Sequence, residues 1–333
     1  MAEVSKTKLK LLYLMDIFLS KTDDENILNA NELCDELEKN YNITAERKSI
    51  YRDIEALKKY GMDINFETIP KKGYYLANRN FEVAEVKLLI DAVQSANFIT
   101  PKKTNQLIEK ICKELSLFQA EKLKQCVCVE SRAKRKNERV YYNVSFLNEA
   151  IENKKQVEII YVKHIRDKEE PYKRIEKTFI VSPYALVWKN DFYYLVCNNQ
   201  NYNNLMHIRI DRIEGVTVLD VDARPFSEVC EFSDEFDCGI YSKRTFNMFS
   251  GENKSVELIC DNTIIDDIFD RFGDEVIIED YDDNNFLISV KVAMSTGLVS
   301  WIMQYSKFIK VQKPEELKLC LLNKIDEISA MYR

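Results

Sequence analysis

The chain of 333 residues is poor in glycine and histidine, with seven and two of them, and it has no long apolar run. It contains neither the Gly-x-Gly-x-x-Gly nor the P-loop pattern that would cradle a phosphate. Two histidines, without a His-Glu-x-x-His pattern or a cysteine quartet, argue against a metal hydrolase. A membrane helix needs about 18 consecutive apolar residues, and we expect none. These absences favour a binding protein over an enzyme, with no metal, no cofactor and no membrane contact.

Cysteine is not scarce, but its nine positions are scattered and odd in number. Only Cys126 and Cys128 lie close together, and no Cys-x-x-Cys occurs. This pattern is typical of reduced thiols. The charged, amphipathic start of the chain also differs from a secretory signal, so we expect a cytoplasmic protein.

The net charge of −7 conceals a polarised distribution. Residues 132–177 hold 13 Lys and Arg against 8 Asp and Glu, whereas residues 220–285 hold 19 acids against 5 bases. The acidic run from Asp261 to Asp283 lacks the spacing of a calcium loop, so we expect a solvated or partner-facing surface there. Nucleic acid is therefore expected only at the N-terminal and central parts.

Residues 1–80 have the pattern of a winged helix-turn-helix. Helical apolar spacing occurs at 8–19, 30–39 and 45–60, and strand patterns follow at 64–67 and 73–76. Asn29 and Thr44 are suitable N-caps for the second and third helices, and Gly61 is a natural C-terminal cap. Pro70 marks the turn between the strands.

The third helix carries a candidate DNA-binding surface. Ile50, Ile54 and Leu57 form one buried stripe, which leaves the opposite surface free. That surface and the wing turn supply the candidate DNA-binding residues Arg47, Lys48, Ser49, Tyr51, Arg52, Lys71 and Lys72. Cations contact phosphates or guanine edges in the major groove, and serine is short enough to approach the backbone. The alternative, a solvated helix face, does not explain the caps and the basic hairpin in this fixed order.

The rest of the chain predicts three further domains, which makes an α+β multidomain protein. We expect a helical connector with a basic linker over 81–139, a β-rich domain over 140–225 and a C-terminal α+β unit over 226–333. Residues 81–96 and 102–123 show helical spacing. The C-terminal order of strand, helix, strand, strand, helix, strand and helix is that of a split βαβ unit.

The central domain combines cations and aromatic residues. Residues 191–196 alternate like a strand, and His207, Arg209 and Asp211 stand at every other position, which on a strand places them on one face. Guanidinium groups bind phosphate in a fork, and tyrosine rings stack on bases. This surface suits a phosphate-bearing or nucleic-acid ligand.

The same residues resemble the WYL domains of bacterial transcriptional regulators. Tyr193-Tyr194-Leu195 is similar to their Trp-Tyr-Leu tripeptide, and Arg209-x-Asp211-Arg212 resembles the arginine-rich strand that accompanies it. The resemblance implies a five-stranded, Sm-like β-barrel with a basic ligand surface. The residues placed on that surface are Tyr161, His164, Ser182, Tyr184, Tyr194, His207, Arg209 and Arg212. Of the last two we favour Arg209 as ligand-facing, with Asp211 to orient an arginine.

Two flanking segments extend the resemblance. Residues 46–54, with the pair Arg52-Asp53, resemble the recognition helix of DeoR/YafY-type winged-helix regulators, with Ser49 where Thr is usual. Residues 290–317 resemble the WCX extension that follows many WYL domains. Together the three parts predict WYL-domain regulator architecture along the chain.

The sequence thus predicts a ligand-responsive transcription regulator. It would bind double-stranded operator DNA through the winged helix, sense a nucleic-acid-derived or anionic ligand through the WYL domain, and act as a homodimer. The alternative is an accessory module that binds RNA or single-stranded DNA and modulates a phage-defence or RNA-guided effector. A palindromic site upstream of the gene would favour the first function, and a neighbouring nuclease gene the second.

Overall fold

The computed structural model describes residues 6–69, 71–125, 137–167, 172–189, 191–229, 241, 244–246, 248–249 and 251–333. The protein is a mixed α and β structure, with helices in its N-terminal part and antiparallel sheets in its C-terminal part. It divides into two compact units, Met1–Lys136 and Asn137–Arg333. Pro70, Cys126, Cys128 and most of the predicted basic linker lie outside the described residues.

The first unit begins with three helices and a two-stranded hairpin. Their bounds are α1 Lys6–Lys21, α2 Ala30–Tyr41, α3 Arg47–Tyr60, β1 Ile64–Glu67 and β2 Gly73–Leu76. Asn29 caps α2 as predicted, in a reciprocal pair of hydrogen bonds with Glu32. The predicted cap Thr44 is wrong, because Glu46 is the N-cap and α3 starts at Arg47. Gly61 ends α3 as predicted, in a left-handed conformation with φ of 113°.

The apolar faces of these elements enclose one core. Its buried members are Leu14, Ile17, Phe18, Ala30, Leu33, Leu37, Ile50, Ile54, Leu57, Ile64 and Leu76. The predicted stripe Ile50, Ile54 and Leu57 is thus buried, with exposures of 3% or less. The opposite surface of α3 consequently faces outward.

Three further helices complete the first unit. They are α4 Val83–Ser95, α5 Pro101–Ile111 and α6 Leu117–Gln125. The helix predicted over 102–123 is therefore two helices, separated by a 3-10 turn at Cys112–Glu114. Buried Asp23, in the loop after α1, accepts hydrogen bonds from the Asn26 N–H and from the Ser116 hydroxyl just before α6. This carboxylate ties α6 to the α1–α2 loop.

The second unit opens with α7 and a five-stranded antiparallel sheet. The elements are α7 Val140–Glu152, β3 Lys155–Ile165, β4 Lys173–Lys189, β5 Phe192–Asn198, β6 Met206–Arg209 and β7 Ile213–Asp222. The strand order is β6-β5-β4-β3-β7. Among the described residues β6 and β7 are the two sheet edges and do not pair, so the predicted closed barrel is not found. A short 3-10 turn, Ile210–Arg212, joins these two edge strands.

A second, four-stranded antiparallel sheet follows. Its elements are β8 Asn253–Asp261, α8 Ile265–Phe272, β9 Ile278–Asp282, β10 Asn285–Ala293, α9 Thr296–Tyr305, β11 Ile309–Lys313 and α10 Glu315–Met331. The strand order β11-β8-β10-β9 and the order of elements agree with the predicted split βαβ connectivity. None of the described helices combines the length and the apolar character that crossing a membrane requires.

Candidate nucleic-acid and ligand surfaces

The outward surface of α3 carries four exposed side chains of the predicted DNA-binding set, Arg47, Lys48, Tyr51 and Arg52. Arg47 donates a hydrogen bond to the Tyr51 hydroxyl at 3.1 Å. Lys48 and Arg52 form no ion pair or hydrogen bond with any residue that the structure describes. These two cations are therefore free to meet an anionic partner.

Ser49, by contrast, is already engaged. Its hydroxyl donates to the Glu46 carbonyl at 2.8 Å and accepts from the Lys10 ammonium at 3.0 Å. Lys10, which is 9% exposed, also pairs with Asp53 at 2.7 Å. Ser49 and Asp53 thus orient α3 against α1, and the approach of Ser49 to a DNA backbone stays a prediction.

The hairpin extends the α3 surface through aromatic rings that the sequence analysis did not single out. The rings of Tyr51 and Tyr74 are 6.3 Å apart, and those of Tyr74 and Phe66 are 4.8 Å apart. The Lys72 ammonium lies 5.8 Å from the Phe66 ring. Lys71, the other predicted wing cation, pairs instead with Glu32. Lys72 is the wing lysine that remains exposed without a carboxylate partner among the described residues.

In the second unit, Arg209 is bound to Asp211. Its Nε and Nη2 atoms contact the two carboxylate oxygens at 3.0 and 2.9 Å, and its guanidinium stacks 3.3 Å from the Phe192 ring centre. The Asp211 side chain has no exposed surface, and that of Arg209 is 17% exposed. Asp211 thus orients an arginine, as expected, and it occupies the Nε and Nη2 edge of the Arg209 guanidinium; the preference for Arg209 as the ligand-facing arginine stays a prediction.

The expected alternation of His207, Arg209 and Asp211 on one strand face holds for the first two residues and is wrong for Asp211. The strand β6 ends at Arg209, and Asp211 lies in the 3-10 turn, where successive residues no longer point to opposite faces. The carboxylate can consequently fold back onto the guanidinium two residues before it.

Arg212 is the second arginine of this turn, and it is half-buried. It makes no hydrogen bond or ion pair with a residue in the described part of the chain. Its charge nevertheless reaches Tyr194: burial raises the pKa of the Tyr194 hydroxyl, and the charges of Arg209 and Arg212 counteract this rise. Tyr161 acts on the same hydroxyl in the raising direction. We name Tyr161, Phe192, Tyr194, Arg209, Asp211 and Arg212 the arginine cluster.

His207 lies beside the arginine cluster, but its side chain contacts Tyr241. Its Nε2 atom hydrogen-bonds the Tyr241 hydroxyl, and the two rings are 5.7 Å apart. Burial lowers the pKa of His207 to about 4, although a hydrogen bond with the Met248 backbone acts in the raising direction. The imidazole is therefore neutral near pH 7 and holds the chain that follows β7.

Ser182 and Tyr184 hold the chain directly after β7, at Arg224. The Ser182 hydroxyl accepts the N–H of Arg224, and the Tyr184 hydroxyl donates to the Arg224 carbonyl, both at 2.9 Å. The Tyr184 ring meets Phe226 edge-on at 5.1 Å, and burial raises its pKa to about 12. Both hydroxyls are thus engaged within the protein, and their predicted ligand contacts stay a prediction.

His164 stands apart from the other predicted ligand residues. It is exposed, and the strand alternation places it on the opposite face of β3 from Tyr161. Its ring contacts Tyr172 edge-on at 5.1 Å. Of the eight predicted residues, the structure thus brings Tyr161, Tyr194, Arg209 and Arg212 together.

Asn143 of α7, which no sequence motif singled out, holds the chain just after the turn that carries the arginine cluster. This buried amide donates to the Ile213 carbonyl at 2.8 Å, directly after the 3-10 turn, and Asn137 donates to the same carbonyl at 2.9 Å. In the sequence, only the apolar spacing around Asn143 indicates that this residue is buried.

Replacing Arg209 and Arg212 one at a time distinguishes an arginine that stabilises the fold from one that is left for binding. Arg209→Ala should destabilise the protein by about 3 kcal/mol, because breaking a buried pair leaves the Asp211 carboxylate without its guanidinium. Arg212→Ala should leave the free energy of unfolding close to wild type. Urea unfolding of both variants measures this difference, and equal stability of the two would contradict the assignment.

The buried imidazole makes stability depend on pH. The unfolded chain takes up this proton near pH 6.5 and the folded chain only near pH 4. Stability from His207 is therefore complete above about pH 6.5 and is lost as the pH falls through that window. Unfolding at pH 7 and pH 5 should show a larger drop for the wild type than for His207→Gln. Parallel pH curves of the two proteins would exclude this role.

Comparisons with known proteins support part of the predicted resemblance. Residues 143–218 match the family model of the WYL domain, a range that contains β3 to β6 and the whole arginine cluster. Among solved structures, the chain is similar to Proteasome accessory factor B/C (PafBC) of Arthrobacter aurescens, at 13% identity and a TM-score of 0.29. That likeness covers 99% of this chain and 51% of the other, so the chain spans about half of that protein. No curated protein matches. The predicted resemblance to WYL domains is thereby confirmed for residues 143–218.

Proposed function

We propose that the chain is a ligand-responsive transcription regulator of the cytoplasm, without enzymatic activity. Its first three helices and hairpin act as a winged helix-turn-helix on double-stranded operator DNA, in the manner of DeoR/YafY-type regulators. The observation that carries this proposal is the pair Lys48 and Arg52, exposed and without partners in the described part of the chain. They project from a helix whose opposite face is fully packed, so α3 can present them rigidly to a groove.

The arginine cluster is the proposed sensor of a nucleic-acid-derived or anionic ligand. Arg212 supplies an uncommitted guanidinium, and Tyr194 supplies an aromatic wall beside it. Arg209 acts indirectly, because its bond to Asp211 holds the turn that carries Arg212. The match of residues 143–218 to the WYL domain supports the assignment of a binding role to this part.

We further propose that the four-stranded sheet and its helices form a WCX-type extension and that the regulator is a homodimer. Symmetric operators usually require two half-site readers. The last helix, α10, exposes apolar side chains that a partner subunit could cover. They are Leu319, Leu322, Ile325 and Ile328, with exposures from 37% to 58%.

The DNA-binding surface is tested with a duplex that the wild-type protein selects from a randomised library. Arg52→Ala should weaken binding by about 1–3 kcal/mol and relax selectivity at one base position, because an arginine that reads a base edge is lost. Lys72→Ala should weaken all duplexes alike and lower the salt slope by about one. Fluorescence anisotropy at several salt concentrations measures both effects.

The matched control is Lys110→Ala, which removes an exposed cation at the end of α5. It should bind the duplex as the wild type does. If a double variant at Lys48 and Arg52 retained full affinity and selectivity, α3 would not be the reading helix.

A further inference from the structure

The hairpin of β3 and β4 extends beyond the part of the sheet in which the other strands pair. The pairing of β3 with β7 ends at Tyr161. β4 pairs with β5 only from Ser182 onward, whereas its earlier residues pair with β3 alone. Tyr161 is opposite Lys177, Lys163 is opposite Ile175, and Ile165 is opposite Lys173. Residues directly opposite each other, and every second residue along a strand, share one face. We call residues 161–165 of β3 and 173–177 of β4 the arm. One of its faces carries Lys163, Lys173 and Lys177, and we name it the lysine face.

The charges of the hairpin are sorted between its two faces. On the other face, Arg174 pairs with Glu176 at 2.9 Å and with Glu214 at 3.3 Å. On the lysine face, the described residues of the arm include no carboxylate, and Lys163, Lys173 and Lys177 are exposed without an ion pair to a described residue. The diagonal neighbours of Lys163 on β4 are Lys173 and Lys177, and residues in such diagonal positions are about 7–8 Å apart. Like charges at such spacing repel, so this face is poised for an anion.

The lysine face leads directly to the arginine cluster. Tyr161, which is 8% exposed, is the cluster member opposite Lys177, and its ring lies 6.1 Å from that of Phe179 on the same face. This aromatic pair, in which Tyr161 is buried and Phe179 half-buried, lies where the packed interior ends and the basic face begins. On the β7 side Tyr161 pairs with Ile213, the residue after Arg212.

We infer that the lysine face binds the backbone of a single-stranded nucleic acid, one end of which reaches the arginine cluster. Lys173 and Lys177 are four residues apart on β4, about 13 Å along the strand, so with their side chains extended away from the sheet their ammonium groups lie farther apart than a single phosphate spans. A chain of phosphates can reach both lysines, and the lack of carboxylates on the lysine face of the described strand residues favours a polyanion over a mononucleotide. This inference rests on the proposed function, because it extends the proposed anion site and names the ligand as a strand of several nucleotides.

The test uses the full chain with Lys163, Lys173 and Lys177 all changed to Gln. The probes are a labelled oligothymidylate of about 12 nucleotides and, separately, thymidine monophosphate. The triple variant should bind the oligonucleotide at least about tenfold more weakly at low salt, with a salt slope smaller by about 2, since each lost single-strand contact contributes about 0.7. Its affinity for the monophosphate should equal that of the wild type. The matched control changes Lys310, Lys313 and Lys324 to Gln, which removes the same charge from exposed positions of the second sheet and last helix.

The possible outcomes separate this inference from the proposed function. If Arg212→Gln weakens binding of both probes while the triple variant binds as wild type, the lysine face is excluded and the anion site stands. If neither variant changes the binding of either probe, the anion site fails as well. Equal losses in the triple variant and in its matched control would reduce the effect to net charge and overturn the inference. A triple variant that alters sedimentation but not oligonucleotide affinity would assign the face to a second copy of the chain instead.

Discussion

A buried carboxylate must be neutralised, and at the turn between β6 and β7 Arg209 neutralises Asp211. The fork of two hydrogen bonds fixes the 3-10 turn, and stacking on Phe192 fixes the guanidinium. Asn143 holds the chain just beyond the turn. With both sides secured, Arg212 is presented beside Tyr194 without a partner among the described residues. The arrangement of the candidate ligand site thus depends on an arginine that does not itself need to touch the ligand.

On α3, too, paired polar groups fix the geometry and other cations remain unpaired. Lys10 and Asp53 pair on the packed side of the helix, and Lys10 also binds Ser49, so these polar groups set how α3 lies on α1. Lys48 and Arg52 remain on the outward side. In both units, ion pairs with little exposure determine geometry, while the cations without a described partner are exposed, as in Lys48 and Arg52, or half-buried, as in Arg212. Paired groups contribute to positioning, and unpaired groups are the better candidates for binding.

Local patterns predicted most of the elements, but not the roles of individual polar residues. Asn29 and Gly61 ended their helices as predicted, because capping depends on nearby backbone groups. Ser182, Tyr184 and His207 were assigned to ligand binding, yet they bond to residues about 34 to 42 positions away. Such partners are invisible to strand alternation. The 3-10 turn likewise hid the pairing of Arg209 with Asp211, since a period of two assumes that the strand continues.

In a ligand-responsive regulator of the proposed kind, a ligand of the second unit changes how the first unit binds DNA. The most direct measurement is the affinity of the full chain for its selected duplex, with and without a saturating single-stranded oligonucleotide, together with the reciprocal titration. Coupling between two sites is reciprocal, so the same fold-change is expected in both titrations. Arg212→Gln should remove this coupling and leave duplex binding by the free protein intact. Affinities unchanged by the other ligand in both titrations would contradict ligand-responsive regulation by this protein.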